Sequence, residues 1–230
     1  KGLSYLNSAI NLFPFEPSLW HSKVDVYYQL MRNDFNNEEY EKAEEYLIKG
    51  LSVIDEATQI NKQNMNLFVF NKNTVERLQT MKFMQDNWNT NAIYDVNEVV
   101  HYSMFNLDIN MDGMPDQWQA YYGKDQIITT TKDGVFEIKT PVSTSLYTRY
   151  PIKLEKGKTY LIEIQLGNSV EYLYYNMLGI EPNVPALKQL NNNYMAEFKV
   201  ENDPNVNGNQ LELFLNSDCV IERIFVQQIN

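Results

Sequence analysis

The chain has 230 residues, a formal net charge of −11 and a single cysteine, Cys219. Acidic residues outnumber basic ones in both halves and no Lys/Arg cluster occurs, which excludes a nucleic-acid backbone or an anionic lipid surface as a partner. One thiol builds neither an internal disulfide nor a thiolate metal site and is expected as a small buried apolar group; the sequence contains no secretory signal and no apolar run of membrane length.

The first ninety residues are helical in pattern. Leu3, Leu6, Ile10 and Phe13 recur at spacings of three and four, which is one apolar helix face. They read as the last turns of a helix already under way, so the natural chain is expected to continue upstream, and any membrane attachment would lie in that preceding segment. Pro14 and Pro17 then interrupt, and Ser18 is the expected N-cap of a second helix over Leu19 to Met31, with Trp20, Val24, Tyr27, Tyr28 and Met31 on one side. Asn33, Asp34, Asn36 and Asn37 predict a polar turn. A third helix is predicted from about Glu38 to Ile60 through Tyr40, Ala43, Tyr46, Leu47, Leu51 and Ile54, its first turn rich in Glu as the helix dipole favours. A fourth is predicted over Thr74 to Trp88 through Val75, Leu78, Met81 and Met84.

Two segments here resemble tetratricopeptide-type repeats. "YLNSAINLFPFEPSLW" is similar to the end of one repeat entering the next, with Ala9, Ile10, Pro14 and Trp20 in the expected places. "YEKAEEYLIKGL", Tyr40 to Leu51, is similar to a second repeat helix, with Ala43 where close packing needs a small side chain. The resemblance spans about 1–62 and implies antiparallel helical pairs with a concave face able to hold a partner protein. A plain helical bundle is the alternative.

Periodicity is lost over 93–103, which reads as a linker between a helical domain, 1–92, and a second domain, 104–230. From Ile127 onward eight short runs predict strands: "IITTT", "VFEIK", "LYTRYPIKL", "TYLIEIQL", "VEYLYYNML", "YMAEFKV", "QLELFL" and "VIERIFVQQI". Turn chemistry separates them, including Asp133-Gly134, Glu155-Lys156-Gly157-Lys158 and Asn207-Gly208-Asn209. Eight strands without intervening helices predict an antiparallel two-sheet sandwich of jelly-roll type, and 181–193, with Pro182 and Pro185, reads as its one long loop.

"DINMDGMPDQW", Asp108 to Trp118, has the spacing of a calcium loop. Asp108, Asn110 and Asp112 fall at positions 1, 3 and 5, Gly113 at the turn, the carbonyl of Met114 at 7 and Asp116 at 9. Gln119 stands where a bidentate Glu completes such loops, so any calcium would be held weakly. The alternative is an Asx-rich turn that opens a strand. "FNLDINMDGMPDQWQAYYG" and "YTRYPIKLEKGKTYLIEIQL" also resemble the opening and middle of bacterial carbohydrate-binding-type jelly rolls, a likeness that covers about 104–229.

Sugar binding needs flat aromatic faces together with polar groups for hydroxyls. In "VEYLYYNML", Leu173, Tyr175 and Met177 share one strand face and Tyr172 and Tyr174 the other. With the first set inward, Tyr172 and Tyr174 form an outward platform, and Tyr147 and Arg149 occupy the same kind of face in their own strand. Trp118 is expected in the core. No catalytic set is visible: His21 and His101 are isolated, the Glu-rich "NEEYEKAEEY" is a solvated helix face, and no nucleophile, zinc or phosphate-loop motif occurs.

Domain order and "AINLFPFEPSLW" together resemble the extracytoplasmic tails of Gram-positive polysaccharide polymerase or O-antigen-ligase-type membrane proteins. That resemblance implies a non-catalytic region on the outer face of a bacterial membrane, positioning glycan or a partner protein for an enzyme whose reacting groups lie elsewhere. A protein-interaction module with the sandwich as spacer, and a fragment of a glycan-active enzyme, are the alternatives.

Overall fold

The computed structural model describes residues 2–61, 70–88, 99–109, 112–122, 128–132, 134–170, 172–178, 186–201 and 209–229. The chain divides into two compact units, Lys1–Ile93 with Asp108–Asp112, and Tyr94–Leu107 with Gly113–Asn230.

The first unit holds α1 (Gly2–Leu12), α2 (Pro17–Asn36), α3 (Tyr40–Asn61) and α4 (Lys72–Asn87). Glu16, not the expected Ser18, caps α2: its carboxylate accepts from the Ser18 N–H, and Pro17 takes the first helical position, where a missing N–H costs nothing. The polar stretch 33–37 does not end the helix at Met31 as its composition suggested. Asp34 is buried and the Phe35 ring meets Tyr40 edge-on and lies 5.9 Å from Trp88, so tertiary packing carries α2 on to Asn36. Glu38, at φ 63°, then reverses the chain.

α2 and α3 run antiparallel, as successive contacts show: Lys23 to Glu56 at 2.5 Å, Tyr27 against Tyr46, Phe35 against Tyr40. Ala43 is buried as expected, and Gly50 also has no room for a side chain: an added Cβ would lie 2.0 Å from Met81 Cε and 3.1 Å from Tyr27 Cβ. Trp20 is fully buried and its indole Nε1–H donates to the Pro14 carbonyl at 2.8 Å, tying the turn before α2 to that helix. No helix among the described residues is long and apolar enough to cross a membrane.

The second unit is an antiparallel β-sandwich. Its strands are β1 (Val99–Tyr102), β2 (Trp118–Tyr122), β3 (Ile128–Lys132), β4 (Val135–Lys139), β5 (Thr144–Thr148), β6 (Thr159–Leu166), β7 (Leu173–Leu178), β8 (Lys188–Leu190), β9 (Asn193–Lys199), β10 (Gln210–Leu215) and β11 (Cys219–Gln228). One sheet runs β3-β4-β11-β6-β9-β8 with β1 also paired to β11; the other runs β2-β5-β10-β7. Alternate residues of both sheets meet in one core that includes Trp118, Phe136, Leu146, Ile162, Ile164, Tyr175, Leu211, Leu213 and Ile224.

Among the described residues eight expected runs correspond to strands; of the three others, β2 was offered only as the strand opened by an Asx-rich turn, and β1 and β8 were not visible in the sequence. β1 lies inside the stretch read as a linker, 93–103. It is held by Ser103, whose N–H and Oγ both donate to the Ile224 carbonyl while Oγ accepts from the Ile224 N–H. β2 is the continuation of the Asp-rich turn. β8 lies inside the expected long loop and pairs with β9; Pro182 and Pro185 lie outside the described residues. "LYTRYPIKL" is not one strand. Pro151 has no N–H to donate, β5 ends at Thr148, and Ile152 makes only an isolated bridge to Asn209.

Cys219 and His101 are both buried. Cys219 is buried, which pushes its thiol up to about 12 and leaves it inert. His101 is buried with its ring edge-on to Trp118 at 5.9 Å, and burial lowers its imidazole to about 4. The folded state therefore keeps His101 neutral where the unfolded chain, near 6.5, takes up a proton. Stability is fully present above pH 6.5 and falls as pH drops through the window down to about 4, by roughly 3 kcal/mol in total. The melting temperature is expected to fall over this range, and His101→Phe should flatten that part of the fall. An unchanged pH profile in the variant would show that His101 does not set it.

Candidate functional site

β2, β5, β10 and β7 each send alternate side chains into the core, and their other residues build the outer face of the four-stranded sheet. Trp118, Leu146, Leu211, Leu213, Leu215, Tyr175 and Met177 point inward. Gln119 of β2 and Tyr147 of β5 are paired on the outer side, Tyr147 is followed across the sheet by Glu212 of β10, and Glu212 by Asn176 of β7. One register step away, Ser145 is followed by Phe214 and then Tyr174.

This face has a polar floor between two aromatic pairs. At one side Tyr121, 60% exposed, stands edge-on to Tyr147 at 6.1 Å, and the Tyr147 hydroxyl donates to Gln119 Oε1 at 3.1 Å. At the other side Tyr174, 41% exposed, lies 5.6 Å from Phe214. Between them Ser145 is fully buried and its Oγ donates to Glu212 Oε1 at 2.6 Å; Glu212 itself is 8% exposed. Tyr121 reaches this side because a bulge follows Ala120 and shifts the phase of β2.

The residues singled out in the sequence are distributed as follows. Tyr174 lies on the outer face of β7, and Tyr172, 52% exposed, stands one residue before that strand. Tyr147 is on the same face two strands away, with β10 between. Arg149 lies just past β5, where its backbone N–H donates to the Gln117 carbonyl and its Nε to the Asp116 carbonyl at 2.9 Å. Gln119 figured in the sequence only as the last position of the calcium-loop spacing, and Asn176, Glu212 and Phe214 were not singled out. The signal for the last two was present in "QLELFL", where a lone carboxylate interrupts an apolar strand in alternation with three Leu residues.

The Asp-rich loop is arranged as a turn. Asp108 Oδ1 accepts from the Asp112 N–H at 3.2 Å, and the Asp116 N–H donates to the Leu107 carbonyl at 2.6 Å. Gly113 is at φ +85°, and a Cβ there would lie 2.5 Å from the Thr129 carbonyl oxygen, so this position admits only glycine. Asp116 is buried, Met114 packs against the sandwich core, and Asn110 lies outside the described residues. Among the described residues no three Asp, Glu, His or Cys side chains form a metal-holding group. If calcium binds here, it raises the melting temperature and Asp112→Ala abolishes the rise; a rise that survives the substitution places the ion elsewhere.

No family model and no curated protein matches the chain. Solved structures do. The ligand-free CBM1 of BiXyn10A is 16% identical with a TM-score of 0.38, over 56% of this chain and 98% of that one. The CBM22-1–GH10 modules of Clostridium thermocellum xylanase 10B, complexed with xylohexaose, are 14% identical with a TM-score of 0.42, over 58% of this chain and 29% of that one. The mannan-recognising carbohydrate-binding module TmCBM27 is 14% identical with a TM-score of 0.25, over 56% of this chain and 94% of that one.

Proposed function

We propose that this chain is a non-catalytic glycan-binding region acting outside the cell, and that the glycan lies across the outer face of the four-stranded sheet. The observation that carries this reading is the pairing of two exposed rings, Tyr121 and Tyr174, with the half-buried rings of Tyr147 and Phe214 on a face that also carries Gln119, Glu212 and Asn176. Rings present flat apolar area to pyranose C–H groups, and the floor supplies acceptors and donors for hydroxyls. Two inter-strand steps separate Tyr147 from Tyr174, about 10 Å, wider than a single pyranose, so the ligand is a chain of sugars.

The first unit and the order of the two units support a finer reading, in which tetratricopeptide-like helices and the sandwich form the extracytoplasmic tail of a polysaccharide polymerase or O-antigen-ligase-type membrane protein. The chain then holds the growing glycan near an enzyme contributed by another segment.

The test is retention of the full chain on immobilised bacterial and plant polysaccharides. Tyr174→Ala and Tyr172→Ala together are expected to weaken retention by about tenfold or more, as loss of an interface Tyr does. The melt should stay within about 0.5 kcal/mol of the parent, because both rings face solvent. Loss of stability without a specific change in retention would make them sheet-covering side chains. Retention on no glycan would turn attention to a protein partner, for which the exposed Leu12, Phe13 and Phe15 of the first unit are the best lead.

A further inference from the structure

The two sheets differ sharply in charge. β4, β6, β9 and β11 each carry acidic residues, and β3, β4, β8, β9 and β11 each carry Lys or Arg. In β2, β5, β7 and β10 together the only charged residue is Glu212. These strands thus keep one carboxylate, on the central strand β10, and it is more than nine-tenths buried. The burial of that charge has a cost unless hydrogen bonds offset it, and Ser145 Oγ supplies one, at 2.6 Å to Oε1. Oε2 takes no protein donor among the described residues.

We propose that Glu212 makes this face selective for neutral glycans, accepting hydroxyl hydrogen bonds from uncharged sugars and repelling those that carry uronate, sulfate or phosphate. The inference rests on the glycan-binding reading and specifies its ligand class. An ionised carboxylate only accepts, and sugar hydroxyls are donors it can use; bonds to a charged acceptor are about twice as strong as neutral ones. An anionic group brought to the same place meets a like charge in a site of reduced dielectric, with no cation in the four strands to offset it. Arg149, two residues beyond Tyr147, lies past the end of β5 and its Nε is engaged by the Asp116 carbonyl. The overall charge of −11 acts in the same direction at longer range.

The experiment compares the full chain with Glu212→Gln on neutral polymers (a glucan, a mannan, a xylan and a galactan), each against its carboxymethylated form, at low and at high salt. The Gln side chain keeps an acceptor for Ser145, so the melt should match the parent, and it is recorded for both proteins. The parent is expected to bind at least one neutral polymer and to bind its carboxymethylated form on the order of a hundredfold more weakly at low salt, the scale of a like-charge penalty in an interface. High salt should narrow that gap. Glu212→Gln should bind the neutral polymer about tenfold more weakly, the loss of hydrogen bonds to a charged group, and should discriminate far less between the two forms. Equal or better binding of the carboxymethylated polymer by the parent overturns the inference and leaves the glycan reading standing. So does a discrimination ratio that Glu212→Gln or salt leaves unchanged, since the carboxymethyl groups would then act by size. Binding of neither form of any polymer overturns the glycan reading itself and the inference with it.

Discussion

Trp118→Ala is expected to destabilise the sandwich unit by about 3–5 kcal/mol, the usual range for removing a buried Trp. Small domains have only some 5–15 kcal/mol of net stability, so the variant should melt roughly 10–20 °C lower. Trp118 is 1% exposed, lies in the core shared by both sheets, and takes the buried His101 edge-on. It also opens β2, so the cavity would lie beneath an edge strand of the four-stranded sheet. Its indole N–H finds no acceptor among the described residues. Trp118→Phe should therefore cost much less than the alanine variant, since it removes an unsatisfied donor along with some apolar area. Thermal unfolding followed by circular dichroism and by tryptophan fluorescence checks both. A loss for Trp118→Phe more than about 1 kcal/mol above that expected from the lost area would mean that the indole N–H is satisfied in solution.

Trp20→Ala should cost a similar 3–5 kcal/mol, but in the helical unit. Trp20 is fully buried between α2 and its neighbours, and Lys23 Nζ lies 5.7 Å from its ring centre. Here the contrast between Phe and Ala differs, because Trp20 Nε1–H donates to the Pro14 carbonyl. Trp20→Phe leaves that half-buried carbonyl without its donor and should cost about 1 kcal/mol beyond the lost area. Calorimetry on the full chain tests a further point. If the two units fold independently, as their separate cores suggest, each substitution lowers one transition and spares the other. A single transition displaced by both would show one cooperative unit.

The pattern of the chain carried much of this. Runs of period two with turn residues between them specify strands by local chemistry, and β6 shows it most clearly: Tyr160, Ile162, Ile164 and Leu166 are buried while the residues between them are not. Trp20 and Trp118 were legible as anchors because side chains of that size rarely stay in water. The alternation of β7 likewise assigned Tyr175 and Met177 to one side and Tyr174 to the other. Short elements were harder. β1 and β8 are four and three residues long and have no periodicity of their own; they are strands because β11 and β9 offer an unpaired edge. The extension of α2 through Asn33 to Asn36 likewise depends on Phe35 finding Tyr40 and Trp88, contacts that no local propensity encodes.

By itself, then, the sequence determined which residues turn inward, since that depends on hydrophobic period within one strand or helix, and it showed that no Lys/Arg cluster runs along the chain. Which strands lie side by side is a matter of long-range pairing, and only the tertiary structure decided it. Tyr147 and Tyr174, 27 positions apart, come onto one face because β10, from near the C-terminus, inserts between β5 and β7. That insertion places Glu212 against Ser145, 67 residues away, and leaves a single carboxylate at the centre of an otherwise uncharged sheet.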